Sequence, residues 1–259
     1  MSSKNEKDDK YIPSGLKPID DLIGGWKRRI ITLLIGESGA GKSTLLIASA
    51  YHAAKKGFRV NYIDTEGNPV EDVMERLPEN AKRNINIERA VKGMESLEDA
   101  VRRLGNLPRE LLEKSLIIVD SITYHYHALI RTAGTDAERD KLQSRLEAIV
   151  YSLHSLAVGN DAAAVASTWP TSIYDPEGDY VGGFAVKTYS RIQLRIYPSM
   201  LSNERVVEVV KHQIPKIYKC GGRITLDEVI ELVGMPRMEK IGAGLPLMEE
   251  VDVYGQDAG

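Results

Sequence analysis

Gly36-Glu37-Ser38-Gly39-Ala40-Gly41-Lys42-Ser43 is an unbroken G-x-x-x-x-G-K-S string, the spacing of a loop that cradles polyphosphate. Glycines at 36, 39 and 41 let successive backbone N–H groups turn inward and approach anionic oxygens that a side chain would hold away. Lys42 then reaches the terminal phosphates as a point charge, and the short Ser43 hydroxyl is a hard ligand suited to Mg2+. Thr44 adds a second hydroxyl beside it. A nucleoside triphosphate engages all of these groups together.

Acids complete the chemistry. Asp120 ends the apolar run Leu116-Ile117-Ile118-Val119, and ligands of parallel sheets collect at the carboxyl ends of strands. A carboxylate there accepts from metal-bound water and from Ser43, and Ser121 either assists or caps the next segment. Hydrolysis also needs a group that orients and deprotonates water. Glu66, in Tyr62-Ile63-Asp64-Thr65-Glu66-Gly67, has the position and reach, while Asp64, two residues earlier on the same strand face, is the competing acid. His125 and His127 have neither neighbouring cysteines nor a third ligand, so they read as packing residues before metal ligands.

These groups must be held by alternating strands and helices. Ile30–Ile35 is short, apolar and β-branched, as a strand buried on both faces should be, and Leu45 to Ala54 favours a helix closed by Lys55, Lys56 and Gly57. Further strands are expected over Arg59–Asp64, Asn84–Val91, Ser115–Asp120 and Ala162–Thr168, with a long helix over Asp136–His154. Ile192, Leu194 and Ile196 then alternate with Arg191, Gln193 and Arg195. With Val206–Lys211 they predict an antiparallel hairpin at the sheet's edge. The class is α/β, a mostly parallel doubly wound sheet with helices on both faces.

The chain of 259 residues, 42% hydrophobic, has room for one large α/β domain, expected over residues 11–240 between a tail at 1–10 and another at 241–259. A net charge of -3 excludes a global basic footprint, so nucleic acid would have to meet a local patch. The single cysteine, Cys220, excludes an internal disulfide framework, and no stretch is apolar enough for a signal peptide or membrane span. A cytoplasmic protein without membrane contact is the expectation.

Taken in order, Ser14-Gly15-Leu16-Lys17-Pro18-Ile19-Asp20-Asp21-Leu22-Ile23-Gly24-Gly25, the phosphate loop, Tyr62 to Gly67, Leu116 to Ser121 and Gly182-Gly183 before an arginine-bearing strand resemble the RecA/RadA recombinase family, over roughly Ile12 to Ile224. Among its members the chain resembles the archaeal RadA paralogs that consist of the ATPase core alone. The resemblance implies a RecA-like P-loop ATPase core, ATP and Mg2+ as ligands, Glu66 as the catalytic carboxylate, and a role in homologous recombination or DNA repair.

The departures from the family carry their own expectations. The residues before Tyr11 hold neither the N-terminal DNA-binding domain nor the aromatic polymerisation motif of full recombinases, so autonomous filaments are not expected. Where the family ends a strand in Thr-Asn-Gln, whose amide senses the γ phosphate, this chain has Ser167-Thr168-Trp169-Pro170, and coupling of ATP to DNA should be weak. Val70 stands at the expected place of the arginine that stacks on adenine. The family's DNA loops fall at Arg131–Arg145, with Arg131, Arg139, Lys141 and Arg145 as candidate phosphate contacts, and at Ser172–Val181, with Tyr174 and Tyr180 as stacking candidates. Asp136, Glu138, Asp140, Asp175, Glu177 and Asp179 dilute both fields.

Lys211 falls where relatives place a basic residue that reaches the neighbouring subunit's γ phosphate, its alternative being an exposed strand-end lysine. Lys27-Arg28-Arg29 reads as a solvated edge or a partner contact. The combined expectation is a slow, Mg2+-dependent ATPase assisting a full-length recombinase, with weak single-stranded DNA binding and an oligomer open. A KaiC-like regulatory ATPase or autokinase, and a nucleotide-bound scaffold, are the rivals.

Overall fold

The computed structural model describes residues 10–171, 179–199, 203–214 and 220–233. Of the expected tails only Lys10 falls among them, and the segment 241–259 lies outside. The described chain opens with a small antiparallel pair, β1 (Tyr11–Ile12) and β2 (Trp26–Lys27), joined through a helix over Lys17–Ile23. Gly24 ends that helix at φ 82, and a Cβ on Gly25 would lie 2.6 Å from the Ile12 carbonyl oxygen, so the Gly24-Gly25 pair is a packing requirement.

The main sheet has eight strands in the order β10-β9-β8-β3-β7-β6-β4-β5: β3 (Ile31–Ile35), β4 (Val60–Asp64), β5 (Ile85–Arg89), β6 (Leu116–Asp120), β7 (Ala163–Thr168), β8 (Ser190–Pro198), β9 (Glu204–Lys211) and β10 (Gly221–Thr225). From β8 to β5 neighbours are parallel, whereas β9 and β10 join antiparallel. The expected hairpin exists, but it is not the edge. β8 pairs with β3, and β10 lies beyond β9, hidden from the sequence pattern because Gly221-Gly222 open it. The Lys17–Ile23 helix packs near this end, where a Cβ on Gly222 would touch Pro18 and Leu22 at 3.2 Å.

Helices cover both faces. The Lys42–Lys55 helix lays Leu45, Leu46, Ala50 and Ala53 against Leu34, Tyr62, Ile118, Val165 and Leu194. On the opposite face, the helices Met94–Gly105 and Asp136–Gly159 cover Leu33, Ile117, Val119 and Ala164 with Leu97, Val101, Ile149 and Leu153. The long helix runs to Gly159 rather than His154, because Ala157 continues its buried stripe, and Thr135 with Glu138 closes its start in a capping box. Arg28, expected to be solvated, is 7% exposed and paired with Asp161 at 3.0 Å. No helix among the described residues is long and apolar enough to cross a membrane.

Because β6 is central and buried along its whole length, its packing fixes the height of Asp120 in the sheet. Ile118→Ala should destabilise the fold by about 2–5 kcal/mol through lost burial and a residual cavity. Urea unfolding with an unchanged slope and a lower midpoint is the expected readout.

Candidate nucleotide site

Beyond Ile35 the chain leaves the sheet into the 36–41 loop, and Gly41 caps the Lys42–Lys55 helix. Gly39 and Gly41 adopt φ 77 and 96, which residues with a Cβ resist. Gly36 serves differently: a Cβ there would stand 2.5 Å from the Ile196 carbonyl oxygen, so glycine lets the loop lie against β8. The helix therefore aims its first N–H groups at the hollow of the loop. Lys42 is buried and its Nζ donates to the carbonyls of Gly36 and Glu37, both at 2.9 Å. Burial lowers its pKa, opposed by the charges of Glu66, Asp120 and Glu37. Ser38 is exposed and Ala40 buried, while Ser43 is half-buried at the helix start.

Asp120 has no exposed surface. Its Oδ1 accepts from the Ser167 hydroxyl at 2.5 Å, and its Oδ2 from the Tyr62 hydroxyl at 3.0 Å and Asn68 Nδ2 at 3.1 Å. Burial raises its pKa, while Ser167, Ser43, Tyr62 and Lys42 pull it down, which puts the Ser43 hydroxyl and the Lys42 ammonium in the same pocket as this carboxylate. None of Tyr62, Asn68 and Ser167 stood among the candidates from sequence. Register supplies the missing signal: Asp64 pairs with Asp120 and Tyr62 with Ile118, so the two strand-ending acids and the tyrosine share one face.

Asp64 is not a free acid. Its Oδ1 accepts from the N–H groups of Glu66 and Gly67 at 3.1 Å and from Asn68 at 3.0 Å, and Arg89 pairs with its other oxygen. This carboxylate shapes the turn that presents Glu66. Thr65 locks the same turn to β6, donating to the Ser121 carbonyl at 2.9 Å and accepting from the Ser121 N–H at 2.7 Å. Glu66 Oε1 is buried and meets no hydrogen-bond partner among the described residues. Burial and the charge of Asp120 raise its pKa to about 7, and Lys42 and nearby Ser121, the latter outside hydrogen-bond geometry, draw it partly back. A carboxylate poised there suits proton abstraction at neutral pH.

Thr44 faces away from this pocket and lines a groove of about 290 Å³, with Ile47, Ala48, Pro69, Val73 and Val229 among its almost wholly apolar walls. Val70, expected at the place of the adenine-stacking arginine, is instead fully buried in the core.

The other candidates scatter. Lys211 lies at the far end of β9, its Nζ donating to the carbonyls of Lys187 at 2.6 Å and Ser190 at 2.8 Å. Arg139, Lys141 and Arg145 belong to the Asp136–Gly159 helix rather than to a loop. Arg145 is committed to Glu98, at 2.7 and 2.8 Å, and so is not open to phosphate, whereas Arg131, Arg139 and Lys141 are exposed. Tyr180 is 5% exposed and its hydroxyl accepts from Gln193 at 2.8 Å, so its ring is closed to base stacking, and burial pushes its pKa up to about 12. Tyr174 lies outside the described residues. At the end of β7, where no sensor amide was expected, the Thr168 hydroxyl lies 2.8 Å from that of Thr123 and donates to the Val181 carbonyl at 2.9 Å. His125 bonds the Ala90 carbonyl at 2.6 Å, and among the described residues no cluster of His, Cys, Asp or Glu is arranged to hold a metal.

The chain matches the family model described as AAA domain over residues 3–166. It is 29% identical over 228 residues to the DNA repair and recombination protein RadB of Methanococcoides burtonii, a match covering 85% of this chain and 97% of that protein. The protein of the same description from Archaeoglobus fulgidus is 29% identical over 83% of this chain and 95% of its own length, and that from Halobacterium salinarum 28% identical over 73% and 82%. The resemblance to archaeal RadA paralogs read from the ordered motifs thus extends across most of the chain.

Glu66 gives the nucleotide-free protein a pH signature. A carboxyl whose folded pKa lies near 7, against an ordinary 4.5, keeps its proton in the fold where the unfolded chain has lost it, so stability falls as pH rises through that window. Glu66→Gln removes this loss. Its melting temperature relative to the unsubstituted protein should be more favourable at pH 8 than at pH 4.5, and a difference independent of pH would show that the carboxyl titrates normally.

Proposed function

The chain belongs to the AAA domain family, and from that premise we propose that it binds ATP with Mg2+ and hydrolyses it slowly, as a RecA-type accessory protein of recombination and DNA repair. One observation carries the reading: Lys42 from the first turn of the helix after the phosphate loop, Asp120 from the end of β6 and Glu66 from beyond β4 act on one another's charge within a single pocket.

Glycine amides and the start of the Lys42–Lys55 helix hold the polyphosphate, and Lys42 exchanges its two carbonyl partners for phosphate oxygens, an ion pair replacing contacts to neutral acceptors. Ser43 and Asp120 fit a magnesium ion, since a hydroxyl and a fully buried carboxylate face each other there and both offer hard oxygen. When bound, that ion supplies charge neutralisation at the phosphates. Glu66, in its ionised form, orients a water for attack at the γ phosphorus and takes its proton. The apolar groove beside Thr44 suits a base held by its faces.

Slow turnover follows from Thr168, which ties the end of β7 to Thr123 and Val181 where the resembled family has a sensing amide. The repair role rests on the relatives, which are DNA repair and recombination proteins. Weak contact with single-stranded DNA falls to Arg131, Arg139 and Lys141, and the main output is assistance to a full-length recombinase in the cytoplasm. Residues 11–240 form the ATPase domain. Lys211 would reach a neighbour's phosphate only in an oligomer that frees it from the Lys187 and Ser190 carbonyls.

ATP binding and hydrolysis, each measured with and without single-stranded DNA, test this reading. Lys42→Ala should weaken ATP binding about tenfold or more. Glu66→Gln should bind ATP yet lose about 10²–10⁴-fold in turnover, and kcat/KM of the unsubstituted enzyme should rise with pH through about 7. Unchanged phosphate release from Glu66→Gln would favour a nucleotide-bound scaffold, and strong stimulation by DNA would contradict the consequence drawn from Thr168.

A further inference from the structure

Arg205 stands at the start of β9, opposite Pro198 of β8 and therefore at the carboxyl end of the parallel strands, level with the phosphate loop. It alternates with Val207 and Val209, which pack into the same core as the Lys42–Lys55 helix. Its side chain crosses the loop itself. A Cβ built on Gly41 would lie 3.3 Å from Arg205 Nε, 3.6 Å from Cγ and 3.7 Å from Cδ, so the arginine stem passes directly over the residue that caps the helix. Nη1 donates to the Glu204 carbonyl at 2.9 Å, while the Glu204 carboxylate faces Ser199 at 3.3 Å and Arg223 at 3.4 Å.

Charge accounting gives this placement its meaning. Glu66, Asp120 and Glu37 all act on the Lys42 ammonium, so acids outnumber it before any phosphate enters. A polyphosphate adds further negative charge, and a guanidinium is the side chain that meets such oxygens through a planar fork of donors. Building on the proposed ATP site, we infer that Arg205 is a second cation of the phosphate pocket, supplied by the same chain from β9 and reaching the polyphosphate across Gly41. Gly41 then has two duties, its positive φ and the clearance for this arm.

Calorimetric titration with ATP and with AMP, on the full chain, tests the inference. Arg205→Met keeps the apolar stem over Gly41 and removes the charge. It should weaken ATP binding about tenfold or more and change AMP binding little, with the circular-dichroism spectrum of a folded chain retained. Arg205→Lys should recover part of the ATP affinity. The salt dependence of ATP affinity should be shallower for Arg205→Met than for the unsubstituted chain. Equal ATP affinity in Arg205→Met and the unsubstituted chain overturns the inference, because the stem alone would then suffice, and so does an equal loss for ATP and AMP. If Lys42→Ala and the unsubstituted chain bind ATP alike, it is the polyphosphate reading itself that fails, and the two failures are told apart by that control.

Discussion

A carboxylate with no exposed surface must be compensated where it sits, and the site is built around that demand at Asp120. Ser167, Tyr62 and Asn68 satisfy its oxygens from β7, β4 and the turn after β4, while Lys42 and Ser43 face it from the phosphate-loop helix. These five partners come from four separate segments. The register of β6 against β4 and β7, the depth of the helix and the turn at Asp64 are thereby set against one another. Lys42 carries the reciprocal constraint, since its buried ammonium leans on the loop carbonyls and on three acids. The pocket is electrostatically tight before a nucleotide arrives, and Glu66 owes its raised pKa first to burial and then to the charge of Asp120.

Much of this was legible in the residues. The phosphate loop, its flanking strand and helix, the parallel sheet and the acid at the end of β6 all announce themselves locally, through glycine spacing, apolar runs and caps. What was hidden depends on pairing. Tyr62 and Asn68 become partners of Asp120 only because β4 lies beside β6 in register, and Ser167 only because β7 flanks the other side. Arg28 and Tyr180 mislead for the same reason, since neither the Asp161 carboxylate nor the Gln193 amide that captures them is near in sequence. β10 escaped because its opening glycines carry no alternation, and Arg145 because Glu98 on another helix takes its charge.

The surface expected to meet DNA is correspondingly thinner than the sequence suggests. With Arg145 paired and Tyr180 enclosed, exposed cations of the first segment remain at Arg131, Arg139 and Lys141, interleaved with Asp136, Glu138 and Asp140. The hydroxyl chain from Thr168 to Thr123 and Val181 stitches the end of β7 to the strand-like return at Tyr180, which also bridges Pro170. The Thr168 carbonyl also accepts from the Gly36 N–H at 3.3 Å, so the same segment is tied both to the return at Tyr180 and to the phosphate loop.

The chain has two tryptophans, and their settings are unlike. Trp26 is sealed in the core of β2, whereas Trp169 is half-buried just past β7, its indole edge-on to Tyr124 at 5.8 Å and to His127 at 5.2 Å. A sealed indole emits from a fixed apolar environment, while one hinged among aromatic and imidazole rings at the mouth of the sheet reports displacement or protonation around it. The protein therefore carries a native optical gauge at the point where β7 hands over to the loop beyond, readable without any label.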